Sequence, residues 1–206
     1  MLEEECALLE SHGHELCEFF RYSDKIISEG VKGVIKGALS TPWNPFAARA
    51  IREEVNNFSP DVVHVHNTFP LLSPAIFRSI GSSAARVLTL HNYRLFCSAA
   101  IPMRNGKVCT ECIDRHSVRP ALQYGCYRNS RFATLPIAFS VALHRNIGTW
   151  INQVDAFIAL TKFQRDLMVD AGLPADLVHV KPNFYPGTPT ALPWEKRRAS
   201  VVFAGR

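Results

Sequence analysis

The sequence predicts an α/β fold, a Rossmann-like parallel sheet flanked by helices, and two observations carry that expectation. Short β-branched runs recur, each closing on polar residues, and helical patterns alternate with them, which is the profile of buried parallel strands joined by crossover helices. The bulk composition agrees: 206 residues, 47% of them hydrophobic and 20% charged, suit one ordinary folded core.

Residues 1–11 place Leu2, Cys6 and Leu9 at helical spacing and stop at His12-Gly13-His14, so the chain is expected to open inside a helix. Residues 15–20 are expected to form a short strand, and residues 23–39 are ambiguous because Gly30, Gly33 and Gly37 loosen them. Residues 46–58 carry Ile51 and Val55 at helical spacing after Pro42 and Pro45. Residues 60–67 then predict a buried strand, and residues 73–80 a helix with Ser73 as N-cap and Pro74 at its first position.

Residues 86–91 repeat the strand pattern and again end in histidine. Residues 131–154 predict a long apolar helix, bent near Pro136 or Gly148. A third strand is expected at 155–160, a helix capped by Thr161 and stopped by Gly172 at 161–171, and a fourth strand at 177–181. Residues 182–198 are proline-rich and charged, as a linker would be, and a fresh strand is expected from Ser200. A buried parallel strand needs neighbours, so the final strand without a successor and the opening helix without a preceding strand suggest a domain cut at both ends.

No run approaches the roughly 18 apolar residues of a transmembrane helix, and the acidic Glu3, Glu4 and Glu5 do not suit a signal peptide. The expected location is the cytoplasm, with peripheral contact at the inner face of the membrane as a further option. The net charge of +5 favours anionic partners, without separating phosphate-bearing substrates from anionic lipid or nucleic acid.

Ligands of open parallel sheets bind at the carboxyl ends of the strands, where His66-Asn67 and His91-Asn92 fall. An imidazole there can accept a proton from a sugar hydroxyl, orient it, or bond a phosphate; the plainer reading is a loop histidine closing a strand. His64 alternates with His66 and is expected to pack within the sheet, while His12, His14, His144 and His179 show no partner spacing.

Cys97, Cys109, Cys112 and Cys126 read C-x11-C-x2-C-x13-C within an insertion at 95–130. Four thiolates suit structural zinc, and C-x2-C offers two ligands from one turn; the spacing is not that of a ferredoxin cluster. The alternative is four thiols without a metal. Cys6 and Cys17 are expected to be packing residues. The insertion is also basic, with Arg94, Arg104, Lys107, Arg115, Arg119, Arg128 and Arg131 against Glu111 and Asp114. Guanidiniums in such numbers suit a phosphate or carboxylate, although solvated loop surface is the plain reading of any one of them. Nucleic acid is disfavoured, since Tyr124 and Tyr127 are the sparse aromatics available for stacking.

Taken in order, residues 60–67, Thr89-Leu90-His91-Asn92-Tyr93-Arg94, residues 155–161, Val180-Lys181-Pro182-Asn183-Phe184 and residues 201–206 resemble the amino-terminal half of a GT-B glycosyltransferase of family 4. The stretch ending Cys126-Tyr127-Arg128-Asn129-Ser130 resembles a branch with a cysteine-rich insertion in the acceptor domain. The resemblance implies sugar transfer from a nucleotide-sugar, with retention and without a catalytic metal, to a glycan or lipid-linked acceptor, as in making a cell-surface polysaccharide. It matches His91 to the active-site histidine and Asn183 to the start of the interdomain connection. It matches Gly205 and Arg206 to the opening of the donor domain, where fixed positive charge serves a leaving diphosphate. His66, Asn67, Asn92 and Arg94 become acceptor-side candidates.

The expected organisation is an acceptor domain over 1–184, a linker over 185–199, and at 200–206 the first strand of a missing carboxyl-terminal donor domain. The family's leading strand and glycine-rich loop, and its donor-binding glutamates and lysine, have no counterpart in the sequence. The chain alone is therefore expected to be inactive. A competing reading is a non-catalytic zinc-containing module that binds nucleic acid or anionic membrane, and a third is a degenerate gene remnant.

Overall fold

The computed structural model describes residues 2–22, 30–201 and 203, beginning with the helices α1 (Leu2–Ser11), α2 (Gly30–Ser40) and α3 (Pro45–Phe58). Strand β1 (Val62–Val65), α4 (Ile76–Ile80) and β2 (Ala85–Leu90) follow. The insertion holds the hairpin β3 (Met103–Arg104) and β4 (Lys107–Val108) with the short helices α5 (Glu111–Asp114) and α6 (Arg119–Tyr124). Then come α7 (Arg131–Asn146), α8 (Thr149–Asn152), β5 (Ala156–Ala159), α9 (Lys162–Asp170), β6 (Val178–Val180) and a single 3₁₀ turn, Trp194–Lys196.

Two compact units divide the chain, Cys17–Pro182 and a smaller one made of Met1–Leu16 with Asn183–Arg206. In the larger unit β1, β2, β5 and β6 form an all-parallel sheet in that spatial order, with Val65 opposite Leu88 and Leu90 opposite Ala159. The strands advance in chain order, so among the described residues there is no point where the order reverses. Helices cover the sheet because each strand's apolar side chains must be buried: Val65, Leu88, Leu90, Phe157 and Val178 form one core with Phe77, Trp150 and Met168. Phe77 meets Trp150 edge to face, with ring centroids 6.1 Å apart.

Helix α3 follows its sequence signals closely. The Asn44 side chain accepts hydrogen bonds from the backbone N–H groups of Phe46 and Ala47, Pro45 opens the helix, and Ala47, Ile51 and Val55 are buried at four-residue spacing. Register between β2 and β5 is clamped by Asp155. Its carboxylate accepts from the Arg86 backbone N–H (2.7 Å), from Nε (2.8 Å) and from Nη2 (2.9 Å). The Arg86 guanidinium in turn holds the Asp155 carboxyl below its ordinary range.

Several expectations are corrected. Residues 15–20 form no strand, since no neighbouring strand pairs with them and a lone strand is not a stable element. The helix expected from Ser73 begins only at Ile76: Ser73 sits at φ 58°, and its hydroxyl accepts from the Asn44 N–H instead of capping. The long helix expected over 131–154 is two, because Gly148 at φ 66° breaks the run. Cys17 is exposed and donates to Glu54 Oε1 (3.3 Å), so it is no packing residue. Of the strand expected from Ser200, residues 200, 201 and 203 adopt no strand, and the remainder lies outside the described residues, as does 23–29 of the ambiguous stretch.

In the smaller unit, α1 buries none of its described residues, and the described residues of the exposed segment from Asn183 carry only the 3₁₀ turn, where the Arg197 guanidinium lies over the Trp194 ring. No helix among the described residues is long and apolar enough to cross a membrane.

Candidate functional site

The carboxyl ends of β1 and β2 open into a cavity of about 50 Å³ lined by His66, Asn67, His91, Asn92, Arg94 and Trp150, among others. Parallel pairing of Val65 with Leu88 puts the two His-Asn steps side by side. His66 Nδ1 lies 3.0 Å from His91 Nε2, with ring centroids 5.3 Å apart, so the rings are joined by a hydrogen bond whose proton one imidazole must donate. His64, two residues earlier on β1, sets its ring tilted against that of His66, with centroids 4.3 Å apart, and bonds the buried Thr89 hydroxyl at 2.7 Å.

Both asparagines make turns. Asn67 Oδ1 accepts from the Phe69 N–H (3.1 Å) and Asn92 Oδ1 from the Arg94 N–H (2.9 Å), each folding the chain back as it leaves its strand. Both residues also line the cavity, so the turns they hold shape its wall.

Arg94 is held in a cradle. Its guanidinium lies 4.2 Å above the Phe69 ring and 5.7 Å from the Tyr127 ring, and Nη1 donates to the Ser98 carbonyl (3.0 Å). Burial pulls its pKa below the ordinary arginine value, against the opposing pull of Tyr127 and Cys97. No carboxylate pairs with it among the described residues. The cavity lining contains no carboxylate either, so a fixed cation and imidazoles face whatever enters.

The four insertion cysteines converge on a second, smaller cavity of about 20 Å³, room for a single ion or water. All four are free thiols. No three of them have sulfurs within 4.8 Å of one another, whereas a tetrahedral zinc needs sulfur separations of about 3.8 Å. Burial pushes the Cys112 thiol up to about 11 and raises Cys97 and Cys126 as well. Their hairpin is shaped by Asn105 and Gly106, both at positive φ, the Asn-Gly signature of a two-residue turn.

Comparison with known protein families finds that the model described as Glycosyltransferase Family 4 matches residues 3–186. The chain belongs to glycosyltransferase family 4. No curated protein and no solved structure matches it. The parallel four-stranded sheet flanked by helices is the Rossmann-like architecture of the family's amino-terminal domain, and membership makes this a transferase by family whose expected donor is a nucleotide-sugar.

Among the candidate residues of this family 4 chain, His66, Asn67, His91, Asn92 and Arg94 line one cavity. Asn183 belongs to the smaller unit and is exposed, and Gly205 and Arg206 lie outside the described residues. Sequence reasoning missed Trp150, Thr41 and Ser140 in the lining and Phe69 in the cradle. Trp150 is buried, and its indole N–H has no hydrogen-bond partner among the described residues, which is rare for a native buried donor. The signal that could have found Phe69 is its place two residues after the His66-Asn67 turn. Trp150 had none, since it reaches the cavity only through the break at Gly148.

Proposed function

We propose that the larger unit is the acceptor-binding side of a retaining glycosyltransferase that moves a sugar from a nucleotide-sugar to a glycan or lipid-linked acceptor. The observation that carries the reading is the His66–His91 pair at adjacent strand ends, beside a half-buried arginine that no carboxylate neutralises among the described residues. In this role His91 orients the reacting hydroxyl and His66 sets which His91 nitrogen carries the proton. Arg94 holds an anionic group of the acceptor, and Asn67 and Asn92 position the loops. Donor contacts fall to Asn183, Gly205 and Arg206 and to a carboxyl-terminal donor domain reached through a linker at 185–199, so the 206-residue chain alone is inactive.

The cysteine-rich insertion is, on this reading, a structural zinc element, and transfer itself needs no metal. The protein works in the cytoplasm at the inner face of a membrane. Support for the last point comes from α2, which exposes Val31, Val34, Ile35 and Leu39 beside Lys32 and Lys36, and from α7, packed on it, which exposes Phe132, Leu135 and Phe139. Apolar faces fringed by cations suit an anionic bilayer.

The test is sugar transfer from a panel of nucleotide-sugars, assayed with the purified chain and with the chain joined to whatever its reading frame encodes downstream. Transfer by the joined protein only, lost in His91→Ala, is expected. Turnover by the chain alone overturns the reading of inactivity, and full transfer by the joined His91→Ala protein overturns the site assignment.

A further inference from the structure

Four buried polar atoms in and beside the cysteine-rich insertion have nothing to bond. Arg104 Nη1, Arg145 Nε, Arg145 Nη2 and Ser98 Oγ are all buried and without a hydrogen-bond partner among the described residues. Ser98 and Arg104 line the cavity between the four cysteines. Arg104 interacts electrostatically with Cys109 and Cys126, and Arg145, from the last turn of α7, with Cys112. Each guanidinium is also pinned against an aromatic ring, Arg104 at 3.7 Å over Tyr124 and Arg145 at 5.5 Å over Phe96, so neither swings freely toward solvent.

An orphaned buried donor costs about 1–3 kcal/mol, more when charged, and native proteins leave few of them. Two of them on the cavity wall, Arg104 Nη1 and Ser98 Oγ, with the Arg145 guanidinium close enough to interact with Cys112, therefore point to a missing acceptor of negative charge. Glu111 satisfies only Nη2 of Arg104, at 2.7 Å, and Arg145 has no carboxylate partner among the described residues. Neutral thiols are weak acceptors and leave the Arg145 guanidinium and the free edge of Arg104 unanswered. Thiolates around a divalent cation do answer them: the four sulfurs lose their protons to solvent, and the centre keeps two negative charges in excess, facing Arg145 and the Nη1 edge of Arg104 that Glu111 leaves open.

We propose that Arg104 and Arg145 are the built counter-charges of a tetrathiolate centre, in which Cys97, Cys109, Cys112 and Cys126 take a soft divalent cation of the zinc class. This rests on the zinc reading above and adds the residues that make such a dianion tolerable inside the protein. It also gives the centre a purpose in the fold. The Ser98 carbonyl that holds Arg94 follows Cys97 directly, and Tyr127, the lower side of the Arg94 cradle, follows Cys126. Closing the four sulfurs on one ion fixes both flanks of the acceptor cavity, while Arg145 ties the insertion to α7.

The experiment loads the full chain, purified under reducing conditions, with zinc or cobalt alone. It reads metal content by elemental analysis, affinity by competition with a chromophoric chelator, and the thiolate-to-cobalt charge-transfer band. The wild-type chain is expected to hold close to one ion, with sulfur ligation, and Cys112→Ser to lose most of that affinity. Arg104→Met and Arg145→Met are expected to keep the stoichiometry while weakening affinity roughly 10- to 100-fold, the usual range for outer-shell partners. Arg145→Lys, which keeps charge but not the planar fork, should fall between and serves if the methionine variant does not fold. A wild-type metal-to-protein ratio near zero overturns the zinc reading and this proposal with it. A ratio near one with unchanged affinity in all the arginine variants overturns the counter-charge proposal alone.

Discussion

His66 Nδ1 stands 3.0 Å from His91 Nε2, so a single proton bridges two rings held by neighbouring strands. Protonating both rings would break that bond and set two cations against each other. Removing His66 should therefore disturb the protonation of His91. In an active protein carrying this unit, His91→Ala is expected to lower kcat/KM by about 10²-fold or more. His66→Ala should cost less but move the acid limb of the pH–rate profile, and His66→Gln, which can still donate or accept, should restore part of the profile. An unshifted acid limb in His66→Ala would show that the pair is only structural.

The apolar face shared by α2 and α7 gives a second prediction. Phe132 is 89% exposed and Phe139 57%, more than a folded protein leaves open without use at two positions of one helix face. Phe132→Glu with Phe139→Glu should reduce cosedimentation with anionic phosphatidylserine vesicles several-fold and leave the melting temperature within a few degrees of wild type, since neither ring is in the core. Cosedimentation unchanged by the double substitution would argue against a membrane role.

Much of this fold was legible because local and tertiary signals agree: the apolar runs at Val62–Val65 and Ala156–Ala159, the Asn44-Pro45 start and the Thr161 cap each need only their neighbours in sequence. The two His-Asn steps were legible for the same reason, as strand-end residues of a parallel sheet. What escaped was set by distant partners. Ser73 looked like a cap, but its hydroxyl is taken by the N–H of Asn44, 29 residues earlier. The Arg94 cradle pairs Phe69 from one strand-end loop with Tyr127 from the far end of the insertion, a contact no spacing encodes. The four cysteines and Arg104 were visible within one insertion, whereas Arg145 was not, because it arrives from α7.

His144 supplies a pH prediction. Its ring is fully buried, with Nδ1 2.9 Å from the Thr149 hydroxyl and Nε2 2.8 Å from the Pro42 carbonyl, bridging the end of α7 to the segment before α3. Burial is the main cause that lowers its pKa; the Pro42 carbonyl opposes the shift and Arg78 adds to it. A histidine whose folded pKa is depressed takes up its proton more readily when unfolded. Its stabilising contribution is thus complete above the unfolded value of about 6.5 and declines as pH falls from there toward the folded value. Urea midpoints measured from pH 8 down to pH 5 should fall more steeply for wild type than for His144→Gln, even though the variant is less stable at pH 8. Parallel curves would exclude His144 as the titrating group.

Two glycines near the insertion differ in what surrounds them, and that difference predicts unequal costs. Gly148 (φ 66°) and Gly125 (φ 61°) both sit in the left-handed region, where an L side chain costs about 1–2 kcal/mol. At Gly148 a new Cβ would meet Asn152 Nδ2 at 2.5 Å, the end of a flexible side chain that can turn away. At Gly125 it would meet Ser130 C and Arg131 N at 3.1 Å, backbone that opens α7 and cannot move without disturbing the Ser130 cap, whose hydroxyl accepts from the Ala133 N–H. Gly148→Ala is therefore expected to cost about 1–2 kcal/mol, the conformational term alone. Gly125→Ala should cost about 1 kcal/mol more, the scale set by crowding in a packed site. Urea denaturation of both variants checks this, and a Gly125→Ala no worse than Gly148→Ala would mean that the start of α7 yields. Because Gly125 precedes Cys126, the proposed tetrathiolate centre adds a further outcome: Gly125→Ala loaded with zinc should release it more readily to a chelator, an effect that Gly148→Ala lacks.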